Sequence, residues 1–150
     1  MLGLAPREIA HEGEPAIRLE AAARAWAGDA LPDLPFGIIQ DSGFLQVDWA
    51  PAFRCLYELR PVGDDAVRWA MAIHAAIARA ATAMITFALG DKPERWVGLS
   101  GGVFMNRILN DLLERDLDKE GVRILRHRKT LPGDGCIALG QALVAGRAEG

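Results

Sequence analysis

Two glycine turns carry the residues best suited to hold an anion. The first is Ser100-Gly101-Gly102, set between the apolar run Val97-Gly98-Leu99 and the pattern Val103-Phe104-Met105-Asn106. Glycine has no Cβ, so its backbone N–H can approach a ligand closely. A helix start beyond the glycines adds unpaired N–H donors and the positive end of a dipole. A phosphate cradle needs these features. A tight strand-to-helix turn that binds nothing needs the same glycines. The second turn is Pro132-Gly133-Asp134-Gly135. Asp134 has two readings: ligand to a divalent metal that bridges phosphates, or cap of the helix that follows. Neither turn fits the Gly-Lys-Ser/Thr phosphate loop or the GxGxxG dinucleotide pattern.

Other polar residues are less specific. Asn106 lies one turn past the glycines, either aimed at the same ligand or solvated. Glu12 precedes Gly13 in an irregular segment, where an acid is most often a surface group. His74 falls on a long alanine-rich stretch, near its apolar stripe, as a hydrogen-bonded core residue or a ligand. Arg126-His127-Arg128-Lys129 leads into the second turn, as an anion lure or a solvated strand end. Cys136 stands near a helix start, which can lower a thiol pKa. No histidine is placed beside it by spacing, so it is not a convincing nucleophile. The four tryptophans are scattered and read as core or interface residues.

The elements that must position these residues are legible from periodicity. Pro15 suits a helix start, and a first helix is predicted over Ala16–Trp26. Strands are predicted at Phe36–Gln40 and Phe44–Asp48, joined by Asp41-Ser42-Gly43. A short helix follows over Ala50–Leu59. The longest should run from Asp64 or Asp65 to Leu89, with Ala66, Ala70, Ile73, Ile77, Ala80, Met84 and Ala88 on one stripe. Gly90 closes it. Strand Arg95–Leu99, helix Val103–Asp118 and strand Val122–Arg126 then make a βαβ unit with a parallel pair. A last helix is predicted over Cys136–Ala145. Both glycine turns therefore fall at the C-terminal ends of parallel strands, where open α/β sheets bind ligands.

Composition bounds the function. The chain has 150 residues, 51% hydrophobic and 25% charged, with a formal net charge of −3. That length allows one domain, or one lobe of a larger one. The charge argues against a general nucleic-acid grip, which needs a basic face. Two isolated cysteines, Cys55 and Cys136, form no CxxC. They suit a reducing cytoplasm, the expected location. The apolar stretch Trp69–Leu89 passes a length test for a membrane span. It is interrupted by His74 and Arg79, so a core helix and no membrane partner are expected.

The order of motifs is more specific than any one of them. Leu2-Gly3-Leu4, Glu12-Gly13-Glu14-Pro15-Ala16, His74 in its helix, Leu99-Ser100-Gly101-Gly102-Val103-Phe104-Met105-Asn106-Arg107 and Pro132-Gly133-Asp134-Gly135-Cys136-Ile137-Ala138-Leu139-Gly140-Gln141-Ala142 follow one another. This series resembles the C-terminal part of the hydrogenase maturation carbamoyltransferases, the HypF family, over almost the whole chain. Wider relatives are the Kae1/TsaD threonylcarbamoyl-transfer proteins and antibiotic O-carbamoyltransferases. The resemblance implies an α/β fold, one lobe of an actin-like ATPase (ASKHA, ribonuclease H-like), with a mixed sheet flanked by helices. Residues 1–150 would be the C-terminal lobe of a Kae1-like domain. In the family, carbamoyl-adenylate made from carbamoyl phosphate and ATP reacts in a metal-bearing site. The carbamoyl group passes to the C-terminal cysteine of HypE, toward the cyanide ligands of nickel–iron hydrogenase. By motif, Ser100, Gly101, Gly102 and Gly135 would contact ATP or carbamoyl-adenylate, with Asn106 nearby. Glu12 would lie near ribose or base, and Asp134 would be a metal ligand.

Departures narrow this expectation. The family's upstream HxxxH, YrdC-like domain and CxxC motifs do not occur in these residues. A catalytic metal needs about three protein ligands, so Asp134 alone cannot hold an iron- or zinc-type ion. His11 stands where Tyr is common, Ile73 and Ala75 flank His74 where Phe and Asn are common, and Cys136 replaces a usual Gly. The chain is expected to be an incomplete lobe that works with the missing lobe and a HypE-like partner, and that self-associates when alone. A stand-alone binding module, and part of a small-molecule O-carbamoyltransferase, are the alternatives.

Overall fold

The computed structural model describes residues 2–4 and 8–148; Met1 and the last two residues of the lobe assignment lie outside them. Among the described residues, four helices and four strands accompany one long central helix. They are α1 (Glu14–Arg24), β1 (Gly37–Asp41), β2 (Phe44–Asp48), α2 (Ala50–Leu59), α3 (Asp64–Leu89), β3 (Trp96–Gly98), α4 (Arg107–Lys119), β4 (Arg123–Leu125) and α5 (Ile137–Ala148).

Alanine explains the centre. Ala66, Ala70, Ala72, Ala75, Ala76, Ala78 and Ala80 of α3 are all buried. Small side chains let neighbours close on several sides of one helix. The predicted stripe is therefore only part of what is covered, and its far end, Met84 and Ala88, is exposed. Helix α3 packs on α1 and on α4. Long and apolar enough to cross a membrane by length and composition, it is covered by these helices along its middle.

Three apolar clusters follow the chain outward. Leu34, Ala52, Leu56 and Ala76 join α2 to α3, with Phe36, Trp49 and Trp69 against them. Ala75, Ala78, Leu109 and Leu112 join α3 to α4. Leu99, Leu113, Leu117 and Val122 fasten α4 onto the parallel strands.

Both strand senses occur, but in two separate ladders rather than one mixed sheet. Strands β1 and β2 pair antiparallel with Asp41 opposite Phe44, so the loop is only Ser42-Gly43. Both loop residues have positive φ, 49° and 84°, the conformation of a tight twisted hairpin. Strands β3 and β4 pair parallel with Val97 opposite Ile124, as the βαβ reading requires.

Helix boundaries differ from the periodicity: α1 lies over Glu14–Arg24 rather than Ala16–Trp26, α5 runs on to Ala148, and two helices are preceded by separate 3-10 turns. The stretch predicted as one helix over Val103–Asp118 is a 3-10 turn, Gly102–Met105, followed by α4. Asn106 between them is extended, with φ −72° and ψ 112°. Its side-chain carbonyl accepts the Leu109 N–H at 2.9 Å, a helix cap that competes with continuing the helix. Likewise a 3-10 turn, Asp134–Cys136, precedes α5.

Candidate functional site

The two glycine turns meet. Strand β3 continues into buried Leu99, whose N–H donates to the Leu125 carbonyl at 3.3 Å. The chain then turns out at Ser100. The Gly101 N–H donates to the Pro132 carbonyl at 2.6 Å. The Ser100 hydroxyl donates to the same oxygen at 3.3 Å. A Cβ placed on buried Gly133 would stand 3.5 Å from the Gly102 Cα, so the two backbones lie against each other. Gly101 has φ 109°, where a side chain is strained.

This contact divides the donors. The Gly101 N–H closes the clasp between the turns. Gly102 and Val103, both exposed, begin the 3-10 turn, and their N–H groups have no partner within it. They are the donors available to an anion. The Phe104 N–H returns to the Gly101 carbonyl at 3.1 Å and sets the turn's shape.

His127 joins the site, and the basic run gave no reason to single it out. Its Nε2 is 3.2 Å from the Ser100 hydroxyl and its Nδ1 is 3.1 Å from the Thr130 hydroxyl. With the Ser100 proton on Pro132, Nε2–H donates to Ser100. Arg126 beside it pairs with Glu114. A cleft of about 150 Å³ lies between Leu99, Phe104, Asn110, Arg126, His127 and Pro132. Its polar lining is imidazole, guanidinium and amide, next to the glycine turn.

The other predicted residues are placed as follows. Asp134 opens the second 3-10 turn, exposed, and its carbonyl takes the Ile137 N–H. Gly135 follows it, with the Leu131 side chain 3.6 Å from an added Cβ. Among the described residues, no group of three His, Cys, Asp or Glu side chains converges, so Asp134 has no partner set for a metal. Asn106 sits at the far end of the glycine turn, bonded to buried His74. Glu12 is exposed in the turn before α1. Among the described residues no hydrogen bond joins it to either glycine turn; helix α1 reaches α4 through Glu20, which accepts the Arg107 N–H at 3.1 Å. The buried acid of that region is Glu14. The Ala10 N–H at 2.7 Å and the Arg18 guanidinium hold its carboxyl below the ordinary value of 4.5. Cys136 is half-buried and unpaired by any disulfide.

The fold and site define an α/β lobe whose parallel strands end in two clasped glycine turns. The family model described as "Carbamoyltransferase, Kae1-like Domain, second subdomain" matches residues 1–141, and the chain belongs to this HypF carbamoyltransferase family. It is 37% identical over 146 residues to Carbamoyltransferase HypF of Rhodobacter capsulatus, covering 96% of this chain and 18% of that protein. It is 33% identical over 150 residues to the Carbamoyltransferase HypF homolog of Cupriavidus necator, covering 97% and 37%. The chain thus spans less than two-fifths of these relatives. A crystal structure of full-length HypF, in a phosphate- and nucleotide-bound form, superposes with a TM-score of 0.75 at 23% identity, covering 95% of this chain and 18% of that one. HypF of T. kodakarensis gives 0.72 at 23%, covering 98% and 18%. At this identity the superpositions establish the fold alone.

Proposed function

We propose that this chain is the nucleotide-binding lobe of a cytoplasmic carbamoyltransferase of the actin-like type. It holds the phosphates of ATP or carbamoyl-adenylate while the carbamoyl group moves to the C-terminal cysteine of a HypE-like partner. The product serves nickel–iron hydrogenase maturation. The observation that carries this reading is the clasp of Ser100-Gly101 on Pro132. It sets the free Gly102 and Val103 N–H groups, Asp134 and His127 at one edge of the parallel strands. One solved relative is described as phosphate- and nucleotide-bound, which supports the ligand class. Asp134 would offer one oxygen to a divalent metal, and the remaining ligands would come from outside the described residues. The lobe is therefore incomplete in catalysis, and the rest of a carbamoyltransferase supplies what it lacks.

Calorimetric titration with ATP and magnesium tests the cradle. Wild type binds; Gly101→Val loses about tenfold or more, because the turn's positive φ excludes a β-branched residue. Asp134→Ala weakens binding in magnesium and not in its absence. No binding by wild type, or equal binding by wild type and Gly101→Val, overturns the reading. Carbamoylation of a HypE-like protein by this chain alone would overturn the incomplete-lobe part.

A further inference from the structure

His74 is 3% exposed, in the covered middle of α3. Both ring nitrogens are engaged. Nδ1 lies 2.8 Å from the Ala70 carbonyl, which can only accept, so Nδ1 carries the proton. Nε2 lies 2.9 Å from the Asn106 side-chain nitrogen. That nitrogen can only donate, since the Asn106 oxygen is fixed by the Leu109 N–H. Nε2 is therefore bare. An imidazolium would set two donors face to face, so the arrangement requires neutral His74 with its proton on Nδ1.

From Asn106 the bonds run straight into the glycine turn. The Asn106 N–H donates to the Val103 carbonyl at 3.1 Å. Asn110, one turn into α4, donates its side-chain amide to the Phe104 carbonyl at 2.7 Å. The Phe104 N–H reaches Gly101. The 3-10 turn that bears the free Gly102 and Val103 N–H groups is thus held by Pro132 on one side and by Asn106 and Asn110 on the other, with Phe104 set against the Leu99, Leu113 and Leu117 cluster. Of these holds, Asn106 is the one that reaches the covered part of α3, through His74.

We propose that His74 is a positioning residue of the anion-binding turn. It acts through Asn106, and its neutral Nε2 fixes where α4 begins and hence where the Gly102 and Val103 N–H groups stand. It touches no ligand. The functional half rests on the nucleotide reading above; the positioning half does not.

Three variants separate the parts. His74→Leu removes the acceptor and strands a donor of Asn106. His74→Gln offers a carbonyl in its place. Asn106→Ser keeps a hydroxyl to cap Leu109 but is too short for His74. Amide exchange of Phe104 and Asn106 should quicken about tenfold or more in His74→Leu and Asn106→Ser, the effect of a lost buried hydrogen bond. His74→Gln should stay within about threefold of wild type by the same measure. ATP affinity should follow the same order. Nitrogen NMR of wild type at neutral pH should show Nδ1 protonated and Nε2 bare. Wild-type exchange in Asn106→Ser, fast exchange in a folded His74→Gln, or an Nε2–H ring would overturn the proposal. Should His74→Leu fail to fold, the other two variants still decide. Altered exchange with no ATP binding by wild type would sink the nucleotide reading and leave the positioning role standing.

Discussion

At the scale of single residues, the acid that matters near the N-terminus is set by geometry. Glu12 and Glu14 both stand in the Glu-Gly-Glu-Pro segment, and the motif resemblance favours Glu12. Glu14 is the one that is covered, taking the Ala10 N–H and pairing with Arg18 one turn on. Glu14 to Arg18 and Glu20 to Arg24 are i,i+4 pairs set by helical spacing alone. The Ala10 contact is different, because it depends on how the preceding loop folds back. Glu14 has a folded-state pKa below its ordinary 4.5. Its contribution is present above that ordinary value and fades as pH falls through the folded value. Melting temperature should therefore drop as pH falls below about 4.5 in wild type. Glu14→Gln keeps an acceptor for Ala10 but cannot titrate, so it should melt lower at pH 7 and show a shallower acid slope. Parallel acid slopes for the two proteins, followed by circular dichroism, would remove Glu14 from the account.

At the scale of elements, what the chain's periodicity reveals is the part with long, uninterrupted pattern. Helix α3 begins at Asp64 and ends at Leu89, and α2 spans Ala50–Leu59, as the apolar spacing and Gly90 indicate. The parallel pair β3 and β4 is likewise legible, from a strand, helix, strand order of ordinary length. The break at Asn106 was not. Val103, Phe104, Ile108 and Leu109 keep helical spacing across it, and only the cap and the His74 bond reveal why the chain stops and restarts. The clasp between Ser100 and Pro132 is also silent, since it joins residues 32 apart through a backbone carbonyl. Of the candidate site, then, the turns were readable as glycine patterns and their mutual contact was not. The element that carries them is held by α4. Leu117 is fully covered, packed with Leu99, Leu113 and Val122 under the strands. Leu117→Ala should cost about 3 kcal/mol, from lost transfer energy and the cavity left behind. That corresponds to roughly 6–12 °C in melting temperature for a chain of this size. A change under about 2 °C would mean that α4 is not what fastens the β3–β4 pair, since a well-packed leucine cannot be lost so cheaply.

At the scale of the whole molecule, surface area gives the decisive argument. The chain exposes 10508 Å². A compact monomer of 16.2 kDa exposes roughly 7,400 Å². The excess is of the order buried by a substantial protein interface. Part of it is apolar, and two elements carry exposed large apolar side chains with little packed against them. Leu143 and Val144 of α5 are 61% and 72% exposed, on a helix whose main contacts among the described residues are with the short turn that precedes it. The hairpin offers Ile38, Ile39 and Phe44, the last 78% exposed. Large apolar side chains left exposed in this way are the material of interaction faces in soluble proteins. The family model names this region a second subdomain, and the relatives are several times longer. Helix α5 starts directly from the Asp134 turn, so whatever covers it also fixes one wall of the candidate site. In isolation the chain should cover that face with a second copy. Sedimentation velocity at tens of micromolar should show a dimer or larger species, with the fraction rising with concentration as mass action demands. Leu143→Glu with Val144→Glu should shift the distribution toward monomer without lowering the melting temperature, because neither side chain is buried in the lobe. A wild-type chain that sediments as a clean monomer would remove the need for a partner on α5. A double variant that associates as strongly as wild type would move the interface to the hairpin, where Phe44→Glu makes the same test.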